Sequence, residues 1–380
     1  MAEFMIRLMQ PRLGELEVEA VREVFEASWP GAGRRVKRFT ENFGRYISVE
    51  PTELLTVTSC TEGLFQICEA LNLRDGDEVI IPTISFVGAA HAVNNAGATI
   101  RLIDVDPVTL NPTLGAVRAA VGPRTRAVMV LHYGGRGGDI AAIADFANAA
   151  GIFLIEDAAC GLGGTCRGRA LGTFGDAGVW SFDSMKLLSA GDGGVIYARD
   201  PGLRERLAQK IFLGGTETGT GKMNNAVERW WEIDPAAVGR RCIMNDLNAA
   251  IADVQLRQID EFLAKRRWVQ ARYDQAFADL VPKVRLPQLL PEDSPYFYWV
   301  KVPSRRRDQM AYEMRQRGIY TSFRYWPLHR MALYASAGEF KGADAAAGET
   351  LLLPMHQSLD DREIDAVIDA FRSAARQDEA

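Results

Sequence analysis

The run "SFDSMKLLSAGDGG", Ser181 to Gly194, sets one lysine, Lys186, between an apolar stretch that reads as a strand end ("GVWSF") and a flexible segment closing on two glycines. A second strand, "GVIYA", follows at once. Lysine is scarce in this chain: only eight of the 44 basic residues are Lys, and none but Lys186 falls between Lys37 and Lys210. Arginine does not shed its proton at useful pH, whereas a desolvated lysine can become a nucleophile, so an amine kept in an apolar setting is a catalytic candidate. The plainer alternative is a strand-end lysine whose head reaches water.

Upstream of that lysine, from about residue 54, short apolar runs alternate with helical segments. "LLTVTS" leads into a helix from about Thr61, "DEVIIPT" into one from about Phe86, and "ATIRLIDV" into one near Leu114 to Val121. Then come "RAVMVLHY", a helix near Asp139 to Ala150, and "IFLIED". Apolar runs without alternation suit strands covered on both faces, and strand–helix alternation builds a parallel sheet, so the expected class is α/β with a mostly parallel central sheet. Ligands of such sheets collect at the carboxyl ends of the strands.

Downstream, "FLGGTETGTGKMNNAVERWW" reads as a glycine-rich mobile loop. A long helical pattern then spans about Asp246 to Leu280, with Asn245 as a possible cap. The rest offers a strand ("YFYWVKV"), a helix, a strand ("IYTSF") and a closing helix ("DDREIDAVIDAFRSAA"), enough for a smaller C-terminal α/β domain. The expected division is residues 1–250, an N-terminal arm with the large domain, and residues 251–380, the connecting helix with the small one.

Composition excludes several classes. A chain of 380 residues with 47% hydrophobic and 24% charged content is long enough for two domains and a large core. A net charge of −5 argues against non-specific nucleic-acid binding, which needs a basic surface. No apolar run reaches the roughly 18 residues of a membrane span, and "MAEFMIRLMQPRLGE" lacks the apolar centre of a signal peptide, so the cytoplasm is the expected location. Five cysteines and four histidines without metal-ligand spacing fit reduced thiols better than disulfides or zinc.

Four strand ends carry suggestive chemistry. Ser59, Cys60 and Thr61 offer hydroxyls and backbone N–H groups at a helix start, a seat for phosphate or simply a cap. Asp157 follows a buried strand and needs a compensating partner, a ligand or a cap or ion pair. Phe86 supplies a flat ring or a core aromatic, and Ser181 and Lys186 complete the set. Together they are the parts a pyridoxal phosphate site requires: an amine for the aldehyde, a carboxylate for the ring nitrogen, an apolar face for the ring, and hydroxyls at a helix N-terminus for the phosphate.

In this order the motifs resemble the DegT/DnrJ/EryC1/StrS sugar aminotransferases, pyridoxal phosphate enzymes of fold type I. The likeness runs from "PRLGELEVEAVREVFEASW" through "TSCTEGL", "PTISFVGAAHAVNNAGATIRLIDVDPVTLNP", "LHYGG", "IEDAACGLGG" and "SFDSMKLLSAGDGG". It continues through "MNDLNAAIADVQLRQID" and "YWPLH" to "LLLPMHQSLDDREID". The resemblance makes Lys186 the residue that binds the aldehyde and shuttles the proton, Asp157 the ring-nitrogen partner and Phe86 the stacking residue. It places Cys60, Thr61 and Ser181 at phosphate contacts, and it implies a homodimer whose subunits share sites.

Three departures stand out. Arg241 in "GRRC" occupies the place of a family asparagine and is either a phosphate-binding cation reaching the partner subunit or a surface arginine. Cys160 replaces the usual Gln or His beside the cofactor, and Asp192 the usual Glu. His329 matches a segment bordering the substrate pocket or is a structural imidazole, and Trp230 and Trp231 either close over the substrate or pack. The reaction implied is amino transfer from glutamate or glutamine to a keto or aldehyde sugar, often nucleotide-linked; a keto cyclitol or sugar acid is the alternative acceptor. A sugar dehydratase would carry histidine in place of Lys186, and a non-catalytic relative would lack Lys186 or Asp157.

Overall fold

The computed structural model describes residues 6–215 and 235–376. Helices α1 (Glu15–Glu26) and α2 (Arg34–Ile47) precede β1 (Leu54–Val57), α3 (Cys60–Ala70), β2 (Glu78–Pro82), α4 (Val87–Asn95), β3 (Thr99–Ile103), α5 (Leu114–Ala120), β4 (Thr125–Leu131), α6 (Ile140–Ala150) and β5 (Phe153–Asp157). A short pair, β6 (Thr165–Cys166) and β7 (Arg169–Ala170), leads to β8 (Ala177–Ser181), β9 (Gly194–Ala198) and α7 (Pro201–Ile211). The second half holds α8 (Asp246–Arg257), α9 (Ile259–Phe277), β10 (Tyr298–Lys301), α10 (Ser304–Gln316), α11 (Lys341–Glu349), β11 (Thr350–Leu353) and α12 (Asp361–Arg376).

Seven strands form one sheet in the order β1-β9-β8-β5-β4-β2-β3. From β8 to β3 all neighbours are parallel, and β9 alone runs against both of its neighbours, β8 and β1. Parallel neighbours need a crossover, usually helical. Between β8 and β9 there is only the irregular stretch carrying Lys186, so the chain turns back beside itself. Alternate strand residues enter different layers: Val79, Ile81, Met129 and Ile155 pack with α3, α4 and α7, whereas Ile80, Val128, Val130 and Leu154 pack with α5 and α6.

A second core gathers Val269, Tyr273 and Phe277 of α9 with β10, β11, α10 and α12. Here the structure corrects two expectations. The helical pattern over 246–280 is two helices hinged at Gln258 (φ −98°, ψ 2°), followed by a single tight turn, Ala278–Leu280. No Pro or Gly marks the hinge. It is held by Glu17 of α1, buried, whose Oε1 accepts N–H bonds from Gln255 (2.7 Å) and Gln258 (3.0 Å). Helix α8 packs on α1 through Ala250 and Val254, and the chain enters the second core through α9. Finally, "IYTSF" makes only isolated bridges, Ile319 to Ile6 and Ser322 to Leu352. The partner of β10 is β11, whose uninterrupted "TLLL" is buried throughout, Tyr298 pairing with Leu353. The Asn245 cap is present, its Oδ1 accepting Asn248 N–H (2.9 Å).

Candidate active site

The carboxyl ends of β1, β2, β5 and β8 open on one cavity of about 350 Å³. Ser59, Cys60, Thr61, Phe86, Asp157, Ser181 and Lys186 all line it, so sequence positions spread over more than a hundred residues converge. Asp192 lines it too. Cys160 lies just behind the wall, buried, with Sγ 3.9 Å from Tyr325 Oη. A larger groove of about 860 Å³ runs between α1, α2 and β1. Of its two carboxylates, Glu41 and Asp246, the latter is already spent: it accepts the N–H groups of Gly33 (2.8 Å), Arg35 (3.2 Å) and Val36 (3.0 Å) and so caps α2. The convergent chemistry belongs to the smaller cavity.

At its floor α3 begins. Ser59 is the N-cap, its Oγ accepting Glu62 N–H (3.1 Å), while Ser59 O accepts Gly63 N–H (3.0 Å). Among the described residues, the N–H groups of Cys60 and Thr61 have no protein acceptor, which leaves two donors at a positive helix end facing the cavity. The strand must pass close beneath them. A Cβ on Gly194, the first residue of β9, would stand 2.8 Å from both Cys60 N and Trp180 O.

Asp157 ends β5 and is 2% exposed. Its Oδ1 accepts Ala159 N–H (3.1 Å) and lies 4.0 Å from the Cys60 thiol. Burial pushes its pKa up, against the opposing pull of the Ala159 N–H, Lys186 and His132. Behind it sits a pair that sequence reading missed. Buried Glu156 Oε2 lies 2.7 Å from His132 Nε2 and accepts Gly172 N–H (2.9 Å), and Oε1 accepts Gly175 N–H (2.5 Å). His132 Nδ1 faces Arg136 O at 3.2 Å, so both ring nitrogens meet acceptors. "LHYGG" and "IED" contain these residues, but nothing local says that adjacent strands will face them.

Lys186 stands on the irregular β8–β9 connection, half-buried. Its backbone N–H closes a turn on Asp183 O (2.9 Å), and the loop is pinned by Ala190 N–H to Phe182 O (2.9 Å) and by Asn248 Nδ2 to Ala190 O (2.7 Å). The amine lies 5.6 Å from the centre of the Tyr296 ring. Burial works against the ammonium, but the hydroxyls of Tyr296 and Tyr325 and the thiols of Cys160 and Cys60 outweigh it, and the net direction is well above the ordinary lysine range. Phe86, the residue before α4, is 41% exposed at the cavity mouth, its ring edge-on to Tyr325 at 5.7 Å.

Other wall residues went unread in the sequence: Met9, Tyr296, Arg324 and Tyr325 come from the arm and from loops around the second core. Their only local signal is aromatic density beside breaks in the strand pattern. Conversely, His329 is not brought to the cavity. Its Nδ1 lies 2.7 Å from Thr83 Oγ1, its Nε2 3.0 Å from Asp344 Oδ1, and its ring stacks on Phe340. Arg241 is exposed, in a bridge with Phe212, and does not line this chain's cavity. Trp230, Trp231 and most of the glycine-rich loop lie outside the described residues.

With this geometry in place, comparison with known proteins is direct. The model of the DegT/DnrJ/EryC1/StrS aminotransferase family matches residues 11–372. The chain belongs to this family. It is an aminotransferase, and its family works with pyridoxal phosphate. A dTDP-4-dehydro-2,3,6-trideoxy-D-glucose 4-aminotransferase from Saccharopolyspora spinosa is 46% identical over 374 residues, 97% of each chain. GDP-perosamine synthase of Caulobacter vibrioides is 32% identical, covering 96% of this chain and 97% of its own. The crystal structure of the aminotransferase TlmJ from Streptoalloteichus hindustanus superposes with a TM-score of 0.92 at 47% identity, covering 97% of this chain and 98% of that one. The architecture is that of fold type I.

Proposed function

We propose that this aminotransferase moves an amino group from glutamate or glutamine to the ketone of a nucleotide-linked deoxysugar, as a cytoplasmic homodimer using pyridoxal phosphate. The sugar assignment is supported by the relatives' substrates. One observation carries the chemistry: a single cavity joins an amine, Lys186, with a buried carboxylate, Asp157, and two unpaired N–H donors at a helix start.

That donor set fits the cofactor. Lys186 would hold its aldehyde, Asp157 its ring nitrogen, Phe86 its ring face, and Thr61 and Ser181, with the Cys60 and Thr61 N–H groups, its phosphate. When bound, pyridoxal phosphate supplies a carbonyl that condenses with amines and a ring that takes up electrons. The chain's own residues do the rest. Lys186 Nζ, in its neutral form, takes the proton from the donor's α-carbon and returns it. Asp157, uncomfortable as a buried anion, is stabilised by a cationic nitrogen set against it. Phe86 and Tyr325 wall the mouth against water. Cys160, a neutral thiol raised by burial, offers only a weak donor where the family carries Gln or His.

The test is amino transfer from glutamate and glutamine to a panel of nucleotide-linked keto sugars. Lys186→Ala should lower the rate by on the order of 10³-fold or more. Full activity in that variant would refute the assignment.

A further inference from the structure

We propose that Arg266, on α9 and outside the active cavity, is a positioning residue for Lys186, acting through two polar arms that grip the carbonyls on either side of that lysine. The proposal rests on the assignment of Lys186 above.

Lys186 is carried by a segment without regular structure, so the position of its Cα has to be set by something other than a helix or strand ladder. The carbonyl before it, Met185 O, accepts the Tyr296 hydroxyl (3.2 Å). The carbonyl after it, Leu187 O, accepts Gln357 Nε2 (3.3 Å). Both arms meet at one guanidinium. Arg266 Nη1 donates to Tyr296 O (3.0 Å), and Arg266 Nε donates to Gln357 Oε1 (3.0 Å).

Arg266 is 1% exposed in α9, and among the described residues no carboxylate pairs with it. A buried, unpaired cation is costly, and an apolar side chain of similar volume would fill the same space more cheaply. What the guanidinium adds is a planar fork that fixes two acceptors at once. Its neighbours add no competing charge: burial, then the Arg266 charge itself, press His356 down to about 3, so that ring is neutral. The three members come from α9, from the approach to β10 and from the segment after β11. The second core thus reaches into the first and holds the catalytic loop, a rigid support of the kind a precisely placed amine needs.

Gln357→Glu and Gln357→Leu separate positioning from filling, and neither touches the cavity. A carboxylate at 357 would satisfy Arg266 as an ion pair yet lose the donor to Leu187 O. The first readout is amide hydrogen exchange of residues 183–190 in the cofactor-free protein. The second is the rate at which Lys186 is trapped by pyridoxal phosphate and borohydride, followed by peptide mass spectrometry. Both variants should exchange this segment faster and trap Lys186 more slowly, each by roughly tenfold or more, with kcat falling and the amino-donor KM within about twofold. Thermal unfolding of Gln357→Glu should match or exceed that of the parent. Wild-type exchange and trapping in Gln357→Glu would overturn the proposal, since a purely structural Arg266 is content with the new carboxylate. Failure of the parent protein to trap at Lys186 would instead sink the cofactor assignment, and the exchange rates would still decide the positioning role.

Discussion

Asp157 shows what a buried carboxylate costs. Burial raises its pKa above 3.8, so between the unfolded and folded values the native state binds the extra proton and stability falls as pH rises. The penalty is absent below pH 3.8 and complete above the folded pKa. In the cofactor-free protein, Asp157→Asn should therefore raise the melting temperature at neutral pH and give no such gain below about pH 3.8. Amino transfer should fall by at least on the order of a hundredfold. A calorimetric series against pH, run beside the activity assay, checks both halves. Glu156 one residue earlier has the opposite design, with His132 and two glycine N–H groups satisfying it fully inside the core.

At the level of elements, two helices start on carboxylates borrowed from distant segments. The N-cap residue of α2, Gly33, has no side chain to cap with, and Asp246 of α8 does the work for three N–H groups. Asp104 does the same for α11, accepting Gly342 N–H (2.7 Å) and Ala343 N–H (2.8 Å). Asp246→Ala should cost about 2 kcal/mol, read as a lower denaturation midpoint with an unchanged slope. It should loosen α2 against α8 while leaving the chemistry at Lys186 intact, because Asp246 does not line the active cavity. This is also where the sequence misled. The 246–280 pattern has helical periodicity throughout and no breaker at Gln258, where the side chains of Gln255 and Gln258 meet Glu17 of α1 and the chain divides into two helices.

For the whole molecule two expectations follow. If a second copy completes each site through Arg241, then Arg241→Ala should weaken pyridoxal phosphate binding by roughly tenfold to a hundredfold, the worth of one charge-assisted hydrogen bond. Mixing it with inactive Lys186→Ala subunits should then restore part of the activity, because one site per mixed dimer is whole. An unchanged cofactor affinity would mark Arg241 as a surface residue. The second expectation concerns acid. His356 is buried and held at about 3, against 6.5 for an exposed imidazole, so the unfolded state takes up a proton that the native state refuses. Its share of stability is complete above pH 6.5 and drains away between pH 6.5 and 3, at about 1.4 kcal/mol per pH unit. Replacing His356 by Gln should flatten that part of the pH–stability curve.

The sequence alone determined the alternating α/β order, the strand ends and the candidate set at Ser59, Cys60, Thr61, Phe86, Asp157, Ser181 and Lys186. These are local properties: continuous apolar runs, a helix start after a hydroxyl residue, a rare lysine between two strands. Tertiary structure alone decided the reversed direction of β9, the choice of "TLLL" over "IYTSF" beside β10, and the hinge at Gln258. It also decided the tethering of His329 away from the cavity and the arrival of Tyr296, Arg324 and Tyr325 from the second core. Each of these turns on which groups from distant segments compete for the same partner, and spacing along the chain carries no record of that competition.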